Sequence, residues 1–179
     1  ANILGQWIDV WRPKKKTKEI GLILEDDIDI SPFAYKWLKS VHREYDKRKD
    51  IAGYTLQMEN IYFFDGPGAI LEGPQNDTTF LYGVLGTWGY SPHPKSWRQF
   101  QTWYHKLQDK KNHNGVTVKP YVPKIVPTLW YKDFEKVHKE HTMWEMWHIY
   151  FTYLKKQYTA ILITVYSNLY HKFESKEIF

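Results

Sequence analysis

The stretch GLILEDDIDISP puts four carboxylates, Glu25, Asp26, Asp27 and Asp29, into five positions. Adjacent carboxylates repel and raise one another's pKa unless a cation or hydrogen-bond donors offset the charge. A divalent cation is the economical partner. Hard oxygen ligands suit Mg²⁺ or Mn²⁺, which keep positions open for water and for substrate phosphate oxygens. The competing reading is that these acids only complement the dipole of a helix that starts at Pro32. Aromatic residues make up 18% of the chain, more than a core of this size needs. Trp and Tyr fill cores and interfaces, and they also line sugar sites, where flat faces stack and polar edges hydrogen-bond. His138, His141 and His148 have near-helical spacing, but no HExxH pattern accompanies them, so zinc is not expected. The absence of cysteine excludes a disulfide framework, a thiolate nucleophile and a Cys-type zinc site.

The elements that must position these groups alternate. Apolar residues at helical spacing predict a helix from Asn2 to Trp11 that ends before Pro13, and a basic loop then leads to a strand at Glu19 to Leu24. Ser31-Pro32 reads as an N-cap and first helical residue, with Phe33, Trp37, Val41 and Tyr45 on one face. The acidic cluster therefore lies in a strand-to-helix turn, and in open α/β sheets ligands bind beyond the carboxyl ends of strands. IAGYTLQM predicts a second strand, Asn60 to Asp77 a long loop, and TFLYGVL a third strand. GTWGYSPHP breaks that strand ahead of a helix at Ser96 to Leu107, and GVTVKPYVPKIV reads as irregular or extended. A helix from Tyr131 to Lys155, in one or two pieces, precedes a last strand, YTAILITVYSNL. The expected architecture is α/β, a mixed open sheet with helices on both faces, in a single domain over residues 1–179.

LILEDDIDISPFAYKWL resembles the metal-binding DXD region of GT-A glycosyltransferases of the family-2 type, in which an apolar strand ends in an acidic triplet ahead of a helix. The resemblance implies that Asp27 holds Mn²⁺ or Mg²⁺ on the diphosphate of a nucleotide-sugar donor, with Glu25 and Asp26 facing the donor. YGVLGTWGYSPHPKSW resembles the family's glycine-containing loop over donor and acceptor, which implies donor contacts from Gly86, Thr87, Trp88 and Gly89. MWEMWHIY resembles the acidic "xED" position, which makes Glu145 the base that deprotonates the acceptor hydroxyl, with Trp144 and Trp147 beside it as acceptor-stacking or core residues. VYSNLYHKF resembles a final segment that can place a His, here His171, on metal or diphosphate. Two departures stand out: Met146 replaces the second acid of "xED", and no nucleotide-binding βαβ half precedes Asn2. The chain is thus expected to be the C-terminal part of a GT-A catalytic domain, with little transferase activity by itself. Asp27 and Glu145 are expected to open into one cleft with Trp88 at its rim.

The implied reaction is metal-dependent transfer of a sugar to a hydroxyl of a glycan, lipid or protein acceptor, with inversion. Two other readings stay open: a catalytically inactive carbohydrate-binding module of the same fold, and a nucleotidyltransferase-type enzyme, which would need a Gly- and Lys/Arg-rich phosphate loop near its start. A net charge of +5 over 179 residues suits anionic ligands. The run from Lys14 to Lys18 reads as a solvated loop, so no nucleic-acid partner is expected. No apolar stretch approaches the ~18 residues of a membrane span, which leaves membrane contact to parts outside the chain. The Asn76-Asp77-Thr78 sequon is compatible with a secretory lumen such as the Golgi.

Overall fold

A computed structural model describes residues 3–14, 18–57, 78–115 and 117–163. The expected loop between Asn60 and Asp77, most of the basic run after Lys14, the end of the last strand and His171 lie outside the described residues.

Helix α1 (Ile3–Asp9) is tied to a later helix by side chains. Gln101 Nε2 donates to Ile8 O at 2.8 Å, and Trp97 Nε1 donates to Trp11 O at 3.0 Å. Helix α2 (Ala34–Tyr45) buries Ala34, Leu38 and Val41, spaced four and three apart, with Trp37 and Tyr45 packed alongside. It begins two residues beyond the expected Pro32. Ser31 Oγ accepts the Phe33 N–H at 3.2 Å while Ser31 O accepts the Ala34 N–H at 2.9 Å, and these bonds fold Pro32-Phe33 into a turn ahead of the first helical residue.

The sheet contains β1 (Ile51–Thr55), β2 (Thr78–Tyr82), β3 (Tyr90–Pro92) and β4 (Tyr158–Ile163) in the order β2-β4-β1-β3. β1 and β4 are parallel and the other two pairings antiparallel, so the sheet is mixed, as expected. Two expectations need correction. The run from Glu19 to Leu24 is no full strand: it touches the sheet through one antiparallel bridge, Ile23 with Tyr90, with N–H···O bonds of 2.8 and 3.1 Å. Its neighbour explains why, because β3 is three residues long and ends in Pro92, which has no N–H to donate. β3 itself falls where the sequence predicts only a break before a helix.

Helix α3 (Pro94–Asn114) is longer at both ends than expected, with Pro94 in its first turn and Gly115, at φ 65°, closing it by donating its N–H to Lys111 O. Helix α4 (Val126–Lys136), a 3₁₀ turn at Glu140–Thr142 and helix α5 (Trp144–Lys155) resolve the expected long helix into pieces.

Helices cover both faces of the sheet. On one, α2 packs Leu38 and Val41 against Ile51, Tyr54 and Ala160, with Ile20 and Leu22 at the margin. On the other, Trp97 and Phe100 of α3 and Met146, Ile149 and Phe151 of α5 pack against Ile23, Tyr90 and Ile161. Ile23, Tyr90, Thr55 and Ile161 form one row across the sheet. Beyond that row, at a single edge, lie the Glu25–Asp27 turn, the end of β1 at Leu56-Gln57, and the Gly86–Gly89 loop entering β3. The opposite edge is marked by the Tyr158 N–H donating to Asp50 O at 2.7 Å, where β4 begins. α5 runs towards that opposite edge, so its first turn, with Glu145, stands at the edge of the acidic turn.

Candidate functional site

Alternation along an extended chain decides where the acidic turn reaches. Leu22 joins the α2 cluster and Ile23 the α3–α5 cluster, so Glu25, two positions beyond Ile23, falls on the side of α5. Its charge acts on Glu145. Glu145 occupies the first turn of α5 and is half-buried, which pushes its carboxyl up from 4.5 to about 7. Desolvation is the main cause; a hydrogen bond to its own backbone N–H opposes it, and the charge of Glu25 adds to it. A carboxyl held near neutrality can take or give a proton at ordinary pH, as a general base or acid requires.

Ser91 steadies the segment that leads into this turn. Its Oγ donates to Gly21 O at 2.6 Å and stands 2.8 Å from His42 Nε2. The single hydroxyl proton is used on Gly21, so His42 Nε2 carries the proton and donates to Ser91. Burial pushes His42 down to about 4, with the neighbouring His93 acting in the same direction, and the ring stays neutral at neutral pH.

The Gly86–Gly89 loop is clasped to the end of β1. The Leu56 N–H donates to Gly89 O at 2.9 Å, the Trp88 N–H to Gln57 Oε1 at 3.1 Å, and Thr55 Oγ1 to Gly86 O at 3.3 Å. Two glycines are required here. A Cβ on Gly86 would lie 2.5 Å from Thr55 Oγ1, and Gly89, at φ 86°, sits against the Leu56 side chain. The clasp leaves Trp88 57% exposed. Thr87 is half-buried beside it.

Trp144 and Trp147 are placed in the core, 4% and 9% exposed. Trp144 stacks on Trp7 with centroids 5.8 Å apart and meets Trp97 edge-on, while Trp147 meets Tyr104 edge-on at 5.5 Å. Packing, one of the two roles the sequence leaves open for them, accounts for both rings. Met146 is fully buried, which gives a physical reason for the missing second acid, since a carboxylate there would be desolvated in the core. His148 is fully buried among Tyr90, Trp97 and Phe100 and pushed down to about 3, a neutral core histidine.

Asp26 and Asp27 are exposed in the turn that follows Glu25. Among the described residues no three His, Cys, Asp or Glu side chains converge as a cage for an ion. Exposed carboxylates are hard oxygen donors of the kind that Mg²⁺ or Mn²⁺ takes alongside several waters. A groove of about 360 Å³, lined by Trp7, Val10, Trp11 and Gly21 to Leu24, leads up to the turn, whereas a cavity of about 120 Å³ beside Trp147 is lined by Glu135 and Glu140 and by none of the acidic-turn residues.

The sequence reading missed Thr55 and Gln57. Their signal was a polar pair, two apart, at the end of an otherwise apolar strand. The charge of Glu25 acts on Glu145 through a pairing that no local pattern announces. No protein-family profile matches the chain, and no curated protein or solved structure matches it significantly.

Proposed function

We propose that the chain is the metal- and acceptor-side part of a GT-A-type nucleotide-sugar glycosyltransferase, transferring a sugar with inversion to a hydroxyl of a glycan, lipid or protein. The observation that carries this reading is Glu145, a half-buried carboxyl that desolvation pushes up to about 7, in the first turn of α5 at the edge where the acidic turn and the glycine loop also lie. In the proposed reaction Glu145, ionised, takes the proton of the acceptor hydroxyl as its oxygen attacks the anomeric carbon. Asp27 would hold Mn²⁺ or Mg²⁺, which would supply neutralisation of the charge on the departing diphosphate. Glu25 and Asp26 face the donor. Gly86 to Gly89 bring backbone close to it, and Trp88 offers a flat apolar face to the sugar and helps exclude water.

The test is release of nucleoside diphosphate by the full-length protein from a panel of nucleotide sugars with Mn²⁺ or Mg²⁺, with and without simple glycoside acceptors. Glu145→Gln is expected to keep donor binding and lose transfer. If no donor is bound or turned over under any metal condition, the proposal fails.

A further inference from the structure

We infer that Gln57 is a positioning residue that presets Trp88 for the sugar ring of the donor, a role that rests on the glycosyltransferase reading. Its side chain is one of several attachments between the end of β1 and the glycine loop. What singles it out is that it holds the backbone of the exposed aromatic residue itself. The Trp88 N–H donates to Gln57 Oε1 at 3.1 Å. Chemistry settles which end of the amide faces Trp88, because a peptide N–H can only be met by the oxygen.

Gln57 is in turn held from below. Its own N–H donates to Thr55 Oγ1 at 3.1 Å, and the same Thr55 hydroxyl donates to Gly86 O. A Cβ on Gly86 would collide with Thr55 Oγ1 and with the Gln57 side chain, at 2.5 and 2.8 Å, so the loop lies flush against both residues. Thr55 thus links the start of the loop to the backbone of Gln57, and Gln57 links that backbone to Trp88 near the loop's end. The rings beside Glu145 are buried in the core, while Trp88 is exposed, so among these aromatics it is Trp88 that can meet a sugar face. An aromatic platform binds well only if its orientation is fixed before the ligand arrives, since ordering it on binding costs affinity.

Two measurements on the full-length protein decide this. The first is hydrogen exchange at the Trp88 amide in the parent, Gln57→Met and Gln57→Glu. Gln57→Met removes the acceptor oxygen and is expected to speed exchange roughly tenfold, the equivalent of one hydrogen bond. Gln57→Glu keeps an oxygen there and is expected to retain the protection. Equal exchange in all three overturns the clasp.

The second is a double-mutant cycle on donor KM. Gln57→Met is expected to raise KM about tenfold with kcat within about threefold, and to add nothing further when Trp88→Ala is already present. Additive effects overturn action through Trp88, as does an unchanged KM in Gln57→Met. Should the parent bind no nucleotide sugar at all, the glycosyltransferase reading itself fails and the sugar-positioning role falls with it, whereas the exchange result still decides whether Gln57 clasps the loop.

Discussion

Replacing Glu145 by Gln separates the chemical role of this residue from its structural cost. Burial raises its carboxyl from 4.5 to about 7, so the folded chain holds this proton more tightly than the unfolded chain does. The linkage has one sign: the stability this group permits is fully present below about pH 4.5 and is lost as the pH rises through about 7. At ~1.36 kcal/mol per pKa unit, the penalty for ionising it in place approaches about 3 kcal/mol above pH 8. Gln has the same shape and never ionises. Glu145→Gln is therefore expected to match the parent in urea unfolding at pH 4.5 and to exceed it by up to about 3 kcal/mol at pH 8, a midpoint shift of roughly 1 M or more at an m-value near 2 kcal/mol/M. Transfer activity should fall ~10²-fold or more above pH 7, where Glu145 of the parent is ionised, and the gap should close as the pH falls and the parent's base is protonated. Glu25→Gln should move the parent's pH transition downward, because one charge that raises the Glu145 pKa is removed. If the stability difference between Glu145→Gln and the parent is the same at pH 4.5 and pH 8, Glu145 is not a desolvated carboxyl and the argument from its proton affinity fails.

Further substitutions probe the rest of the edge. Asp27→Asn, at an exposed position, should leave stability within about 0.5 kcal/mol of the parent and abolish most metal-dependent donor binding; calorimetry showing undiminished metal and donor affinity would remove Asp27 from the metal site. Gly89→Ala should cost about 1–2 kcal/mol in thermal unfolding, through its positive φ and the adjacent Leu56 side chain, and an unchanged melting temperature would contradict that geometry. Trp144→Ala should cost about 3–5 kcal/mol, as deletion of a packed core ring does, whereas Trp88→Ala should cost little stability and lower affinity for the donor. Comparable stability losses in the two would contradict the difference in burial.

What could be read from the sequence follows how local each signal is. Trp37, Val41 and Tyr45 announce α2 because helical packing is written into spacing along one segment. IAGYT, TTFLY and YTAILI announce strands by composition. Helices on both faces followed from the alternation of these elements. Tyr90-Ser91-Pro92 carries no such signal, being three residues between breakers, and it becomes a strand only because β1 offers it a partner. The bridge at Ile23 is then all that so short a strand can support. At the site, the type and order of the acids suggested metal chemistry, while the juxtaposition of Glu25 with Glu145 arose from side-chain alternation combined with the direction of α5. For Trp144 and Trp147, flanking a candidate base cannot distinguish a wall of a cleft from the core behind it. Burial decides that, and burial is a property of the whole fold.

The parallel pairing of β1 with β4 also sets an order of events. The Gln157 amide donates to Lys49 O across 108 positions of chain, close to where the two strands begin to pair. The turn from Glu25 to Asp27, near the start of the described chain, is anchored through Ile23 to β3, which is held by β1, which needs β4 beside it. Contacts that close loops of this length form slowly, because the chain entropy is lost before the contacts return it. On a ribosome the acidic turn emerges well before β4, and the sheet that holds its neighbours is complete only once β4 has cleared the exit tunnel. During that interval its apolar flank, Ile20 to Leu24, is uncovered, and the four carboxylates beside it would keep nascent chains apart by charge.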